Sequence, residues 1–475
     1  MSKINSMLDV GKRSLMNSQT ALQTVGHNIA NKSTEGYSRQ RVEQVTAEPV
    51  GVGKLRLGMG SKSAAITRVS NPYLEKQLGK EQSHLGFLGG RADAMSRVEQ
   101  VYNEQMNKGL NQSMTDFFNS YRELSHNPEN LASRTLVKET ADFMAKDFHR
   151  VNDQLIDIQR DLDQQIVTDV SEINEMTEEV ARLNEKVQQV ELSGGYANDE
   201  RDRRDLLVKK IGEKVNIRWA EGDNGMVAIS AGNTALLVTG YDAKKLVVQP
   251  TAESATKGEG NFDVFFQNTN DSIPIKVTEQ LTGGTLGGLL DVRDHVITGL
   301  MSDVDQMAAT LAAKVNEAHV AGFDAYGKPA GQFFSPLLQL RHAARELKVD
   351  AQVLKDPNRI ATAAVINAPG DNRIANYISN LQYKKVLDGG GASLDEFYNA
   401  MVGRVGVIAR RANIAHESQK DIVKQLGNIR ESISGVSLDE ETTKMIEFQK
   451  AFDASARLIR TADEMFDTVL NLKRL

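Results

Sequence analysis

Two stretches at opposite ends of this 475-residue chain share one rhythm, and that match limits the possible folds more than any other feature. Near the N-terminus Ile4, Leu8, Gly11, Leu15, Ser18, Leu22, Val25 and Ile29 recur at alternating spacings of four and three; near the C-terminus Met445, Phe448, Phe452, Ser455, Ile459, Ala462, Phe466 and Val469 do the same. Such spacing draws one narrow seam along a helix, and small Gly11 and Ser18 allow a partner backbone to come close. Both seams run for about four heptads, so the two end helices are expected to pack on each other as a coiled coil. A buried Leu, Ile or Phe stabilises by roughly 1.5–3 kcal/mol, whereas each ordered backbone residue costs about 1–2 kcal/mol. One shared face therefore roughly offsets its own ordering cost. Either both helices dock on the rest of the molecule, or they gain their missing burial from neighbouring copies, as segments that fold on binding do.

Between the ends the pattern is helical, then alternating, then helical again. Leu155, Ile158, Leu162 and Ile166, followed by Ile173, Met176, Val180, Leu183, Val187 and Val190, predict a long helix that stops at Ser193-Gly194-Gly195. A second helix carries Val296, Leu300, Val304, Met307, Leu311 and Val315, and a third runs from Leu394 to Ile433 and closes at Gly435. Ser83–Tyr121 reads as helix with a less regular pattern. The segments Lys214–Trp219, Met226–Ser230, Leu236–Thr239, Lys245–Gln249, Phe262–Phe266 and Ile273–Val277 are short, rich in Val, Ile and Phe, and separated by hairpin-type turns such as Gly222-Asp223-Asn224-Gly225. They predict a small antiparallel β domain at the tip of a helical hairpin. A weaker β region is expected at Arg39–Val45, Lys54–Leu57 and Ala65–Val69. The expected fold is mainly α with an inserted β domain, paired N- and C-terminal coiled-coil helices and an elongated helical rod. The divisions are an N-terminal helix over 1–35, a Gly-rich β/loop segment over 36–70, the first part of the rod over 71–212, the β domain over 213–282, the second part of the rod over 283–434 and the C-terminal helix over 435–475. Nesting of this kind brings the two termini together at one end.

The net charge of −6 leaves no domain-wide basic field to hold nucleic acid or an anionic membrane, so neither is an expected partner. Cysteine is absent, which favours a chain that leaves the cell without needing disulfides. Yet Met1–Val10 lacks the continuous apolar core of a cleavable signal, so export by a route that reads something else is expected. The eight histidines, His27, His84, His126, His149, His295, His319, His342 and His416, are scattered without zinc-ligand spacing, and surface or capping roles are expected for them. Gly283–Gly288 lacks the Gly-Lys-Ser/Thr ending of a phosphate loop and reads as a hinge. No G-x-S-x-G elbow occurs. Catalytic residues, cofactors and metals are accordingly not expected. The run Asp199–Asp205 alternates in sign and reads most simply as a solvated helix start, although its arginines are also placed to tie the β domain to the rod. Val50–Gly60 is either a plain surface hairpin or a loop reaching a neighbouring copy.

Several motifs carry a resemblance over nearly the whole chain. Val25-Gly26-His27-Asn28-Ile29-Ala30-Asn31, followed by Glu35-Gly36-Tyr37-Ser38-Arg39-Gln40, is similar to the N-terminal signature of flagellar axial proteins, "NNIAN" then "GY(S/T)RQ". Asn28, Ile29, Ala30, Asn31, Gly36, Tyr37, Arg39 and Gln40 match it, and His27 stands where Asn is usual. The Arg-Gln extension resembles the hook-associated branch of that family. So do Ser434-Gly435-Val436-Ser437-Leu438-Asp439-Glu440-Glu441, Phe448-Gln449-Lys450-Ala451-Phe452 and Thr461-Ala462-Asp463-Glu464-Met465-Phe466-Asp467, with Phe452 where Tyr is common. Ser437 and Glu440 also have the spacing of a capping box. Asp199-Glu200-Arg201-Asp202-Arg203-Arg204-Asp205-Leu206-Leu207, Gly283–Leu290 and Ala321–Gly327 resemble the branch's entry to and exit from its inserted domain. The likeness thins through Gln249–Asn261 and Pro329–Gly391. There is room for one modest β domain, so any further outer domain of larger relatives is expected to be missing.

The resemblance implies a structural subunit of the bacterial flagellum at the junction between hook and filament, exported without a cleaved signal by the flagellar type III apparatus. Its implied partners are copies of itself in a ring-like layer, the hook protein, the next junction protein (hook-associated protein 3) and a cytoplasmic export chaperone. The assembly residues would be Ile4, Leu8, Leu15, Leu22, Val25, Ile29, Met445, Phe448, Phe452, Ile459, Phe466 and Val469. Another axial protein, akin to hook-associated protein 3 or flagellin, and an exported cell-wall hydrolase are the competing readings.

Overall fold

The structure, a computed structural model, describes residues 2–52, 55–102, 109–251, 261–268 and 273–472. In chain order it contains α1 (Ser2–Ala30), β1 (Gln40–Thr46), β2 (Val50–Val52), β3 (Leu55–Leu57), β4 (Ser61–Arg68), α2 (Pro72–Val101), α3 (Leu110–His126), α4 (Leu131–Leu192) and α5 (Asn198–Lys214). Seven strands follow: β5 (Ile217–Glu221), β6 (Val227–Ala231), β7 (Ala235–Thr239), β8 (Asp242–Ala243), β9 (Lys245–Pro250), β10 (Phe262–Gln267) and β11 (Ile275–Lys276). The chain then returns to helix through α6 (Gly284–Asp291), a π turn (Val292–Ile297), α7 (Thr298–Val320), α8 (Ala343–Glu346), α9 (Ala351–Lys355), α10 (Arg373–Ser379), α11 (Leu394–Ser434) and α12 (Leu438–Leu472). The fold is mainly α with small antiparallel sheets, as the periodicity predicts. Lys54, part of a predicted strand, lies outside the described residues, as do 103–108 within the predicted Ser83–Tyr121 helix.

The spine of the rod is α4, 62 residues long and therefore about 90 Å from end to end. Its sequence pattern is recognisable only from Leu155 onward, but the helix starts at Leu131, where Asn130 caps it by accepting the Ala132 N–H at 2.8 Å. The first third buries Val137, Ala141, Met144, Ala145 and Phe148 against α3 and the loops after α7. Those loops, unassigned from sequence, fill the 321–393 stretch and deliver Phe333 and Phe334 to an aromatic cluster with Phe117 and Tyr121. His319 is buried there rather than on the surface: its Nδ1–H donates to the Gly331 carbonyl at 2.7 Å and its Nε2 accepts the Ala361 N–H at 2.9 Å.

The strands β5–β11 form two sheets, β5-β6-β7-β8 and β11-β10-β9. Topologically they are an insertion between α5 and α6, but they lie along the flank of α4 instead of at the tip of the hairpin. Asn184 on α4 donates to the Val227 and Gly240 carbonyls, Asn174 bonds both backbone groups of Leu246, and Asp163 accepts the Phe262 N–H. These side-chain amides complete strand backbones that water would otherwise have to satisfy. At the far end Arg293 reaches from the π turn to Asp163 at 2.6 Å and to the Phe262 carbonyl at 2.7 Å.

The Gly283–Gly288 stretch is no hinge. Gly284–Asp291 is helical, and its glycines let three backbones meet: a Cβ on Gly288 would strike the Phe87 carbonyl of α2, and one on Gly90 of α2 would stand 2.7 Å from the Thr285 carbonyl. Gly86 of α2 meets the Glu213 carbonyl of α5 in the same way. α11 begins at a capping box of Ser393 and Glu396 and runs antiparallel to α2, with Gln419 bonded to Glu81 and Arg430 to Glu75.

Candidate functional site

The two end helices pair antiparallel. Gly11 lies against Leu458 and Ile459, Ser14 Oγ is 2.7 Å from Ser455 Oγ, and Asn28 reaches Glu441. A Cβ added at Gly11 would stand 2.7 Å from Ile459 Cγ1, so a larger residue here would force the Ile459 and Leu458 side chains to shift. The tightly buried line is made of small residues and one valine: Gly11, Ser18, Ala21, Val25, Ser455 and Ala462. The larger seam residues, Ile4, Leu8, Leu15, Leu22, Ile29, Met445, Phe448, Phe452, Ile459 and Phe466, are only half-buried, and Val469 is 41% exposed. Beyond the seam Met16, Ile446, Met465 and Leu470 are between 45% and 58% exposed. The ribbon β1–β4 covers another side of α1, where Asn17 donates to the Ser61 carbonyl at 2.8 Å and accepts from the Ser63 N–H at 2.9 Å.

At the inner end of this pair the signature segment forms a polar knot. Asn28 is 1% exposed and fully bonded: its Nδ2 donates to the Gln40 carbonyl and to Glu441 Oε2, both at 2.9 Å, while its Oδ1 accepts the Gln40 N–H at 2.9 Å and the Tyr37 hydroxyl at 2.7 Å. One side chain thus joins the end of α1, the start of β1 and the first turn of α12. Burial, and then the carboxylates of Asp199, Asp202 and Glu441, push the Tyr37 hydroxyl far above its ordinary range, so it stays a donor. Gly36 is in the left-handed region at φ 83°, against Leu206. Arg39 bonds Glu440 at 2.6 Å, so that carboxylate serves the signature segment. Ile29 is half-buried, Ala30 is exposed, and half-buried Asn31 bonds back to the His27 carbonyl.

The Asp199–Asp205 run is not a solvated helix start. Asp202 is buried and accepts the Ser38 N–H at 2.9 Å and Arg68 Nη1 at 2.8 Å; burial outweighs both partners and raises its carboxyl above the usual range. Asp199 accepts from Gln40 at 2.8 Å. Arg204, 1% exposed at its side chain, donates to the Gly225 carbonyl at 2.6 Å, and Arg201 bonds Glu191 on α4 and Glu221 on β5. The arginines therefore tie the β strands to the rod, and the aspartates tie the rod to the signature. Arg430 closes the knot from α11 through the Gly36 and Tyr37 carbonyls and Glu75. Burial works to raise the Glu75 carboxyl, but Lys209 and Arg430 outweigh it and hold it low.

A groove of about 600 Å³ runs beside the knot between α2, α5 and β5, with Trp219 in its lining. Its carboxylates Glu75, Asp202, Asp205 and Glu221 are each bonded to an arginine or lysine, which suits a neutral structural joint better than acid–base chemistry. Among the described residues no group of three or more His, Cys, Asp or Glu is placed to hold a metal ion, and no helix is long and apolar enough to cross a membrane. Sequence reasoning found Asn28, Tyr37, Arg39 and Gln40 but missed Glu441, Asp202, Arg68 and Arg430 as their partners.

Known proteins match this architecture. Residues 95–334 match the family model described as the flagellar hook-associated protein FlgK helical domain, and residues 430–472 match the model of the flagellar basal body rod FlgEFG protein C-terminal region. Flagellar hook-associated protein 1 of Bacillus subtilis is 26% identical over 493 residues, covering 98% of this chain and 97% of the relative. The Escherichia coli protein of the same name is 24% identical over 553 residues, covering 99% and 100%; that span exceeds 475 residues, so the relative carries insertions this chain lacks. A solved structure, the flagellar hook junction protein FlgK from Burkholderia pseudomallei, superposes with a TM-score of 0.68 at 14% identity, covering 75% of this chain and 100% of that one.

Proposed function

The chain belongs to the family of the flagellar hook-associated protein FlgK, and from that membership we propose that it is a non-enzymatic structural subunit forming the junction between hook and filament, required for the filament to assemble. The observation that carries this reading is the state of the terminal pair. Its larger seam residues are half-buried, and Ile446, Met465, Val469 and Leu470 are apolar side chains of α12 that stand in solvent in a single copy. Such a surface is completed when identical helices sit beside it, in a ring-like layer with the end helices innermost and the rod and β strands outward. The seam residues from Ile4 to Ile29 and from Met445 to Val469 would then be the assembly residues, and the knot around Asn28 would set the angle between the inner pair and the rod.

On this reading the layer meets the hook protein on one side and the next junction protein, hook-associated protein 3, on the other. The subunit would reach its place unfolded, through the flagellar type III export apparatus, after release from a cytoplasmic chaperone, and would end outside the cell. Two polymers with different packing need an adaptor of this kind, which works by geometry and not by turning over a substrate. Imaging of cells lacking the gene tests it: hooks without filaments, with filament subunits lost to the medium, are expected. Hooks that still bear filaments in such cells would overturn the assignment.

A further inference from the structure

Two outward faces of the rod carry local clusters of charge of opposite sign. On α11 the buried side, Tyr398, Met401, Val405, Ala409 and Ala412, is turned to α2 and α7. The opposite side carries Val407, Ile414, Ile422 and Ile429, each between 42% and 60% exposed, with exposed Arg410 and Arg411 among them. Among the described residues neither arginine bonds an acidic side chain. On α4, which packs against α3, α5 and the strands, Asp153, Asp157 and Asp161 form an exposed row at every fourth residue. Among the described residues only Asp157 has a basic partner there, the exposed Arg160 at 3.2 Å.

We propose that the α11 face is the docking surface for a second copy of this chain, and that it receives the Asp153–Asp157–Asp161 row of that copy's α4. This rests on the junction reading given above and names the rod faces that would carry it. Three observations choose the occupant. Exposed apolar residues recur from α11 into the start of α12, at Ile433, Leu438 and Ile446, next to the terminal pair proposed above to meet neighbouring copies. The positive pair Arg410 and Arg411 on α11 is matched by the negative row Asp153 and Asp161 on α4 of the same sequence. And a ring needs two different faces that meet head to tail, because a face that pairs with itself closes a dimer.

The chain has no cysteine, so introduced thiols report neighbours without background. Arg411→Cys, Asp157→Cys and the double variant are expressed in motile cells, and hook-containing particles are isolated and mildly oxidised. The double variant is expected to give a ladder of linked chains on a non-reducing gel, and each single variant none. Retention of the chain in the particles without a ladder overturns the docking proposal and leaves the junction reading standing; absence of the chain from every particle overturns the reading itself. Linking of Arg411→Cys to itself overturns the head-to-tail arrangement. A charge exchange gives the second test. Arg410→Glu with Arg411→Glu should lower the fraction of filamented hooks about tenfold, and adding Asp157→Arg with Asp161→Arg should restore most of it. Unchanged filaments in the first variant, or no recovery in the second, count against the proposal.

Discussion

At the scale of single residues, Asn28 shows how one side chain can fasten three segments. Replacing it with Leu leaves the Tyr37 hydroxyl, the Gln40 backbone and the Glu441 carboxylate buried without their partner. The expected cost is about 3 kcal/mol, seen as earlier proteolysis of the chain ends on heating while the rod resists. His319 gives a pH test. Burial holds its imidazole down at about 4, below the 6.5 of an open chain. Since the folded value lies below the unfolded one, its contribution is complete above about pH 6.5 and is lost as pH falls toward 4, by about 3 kcal/mol. His319→Gln keeps a donor and an acceptor but cannot titrate, so wild type should lose about that much stability relative to this variant across the same interval in urea melts. The signature residues were legible because they are contiguous. Their partners Glu441 and Arg430 lie some four hundred positions away, and a period read along one sequence carries no information about such pairs.

At the scale of elements, helices and strands announce themselves by period, but the way they are packed does not. The long helix was recognisable from Leu155 by its Leu, Ile and Val spacing; its first third buries Ala141 and Ala145, which are weak signals of a face. The glycines of α6 resemble a loop in sequence, but they lie in a helix that α2 approaches at Gly288 too closely for any side chain. Two alanine substitutions separate these cases. Gly288→Ala, which would drive a methyl into the Phe87 carbonyl and to within 2.8 Å of the Arg91 nitrogen, should destabilise by at least about 2 kcal/mol. Gly299→Ala, in open space on α7, should stabilise by about 0.5–1 kcal/mol. Thermal melts of the two variants should shift in opposite directions. The β strands were legible one by one, but their docking along α4 depends on Asn174, Asn184 and Arg204, polar residues whose sequence context looks like any solvated helix.

At the scale of the whole molecule, the rod is a complete core and the terminal pair is half of one. The rod buries Phe117, Phe148, Leu155, Ile173 and Met307 completely, while Phe448, Phe452 and Phe466 of the pair stay half in water. Ile459→Asp places a charge beside Gly11 where the two end helices cross closely, and hooks without attached filaments are expected from it under the electron microscope. The nesting of strands inside rod inside terminal helices, and the pairing of the two ends, were readable from the order and match of periods; the way the ribbon β1–β4 lies on α1 was not, because it depends on side chains such as Asn17.

Amide hydrogen exchange on the free subunit and on the assembled junction tests the incomplete burial most directly. In the dilute subunit α1 and α12 should exchange within the fastest protected class while α4 and α7 stay slow, and on assembly α1 and α12 should become as slow as the rod. Protection of α1 and α12 in the isolated subunit equal to that of α4 would contradict it.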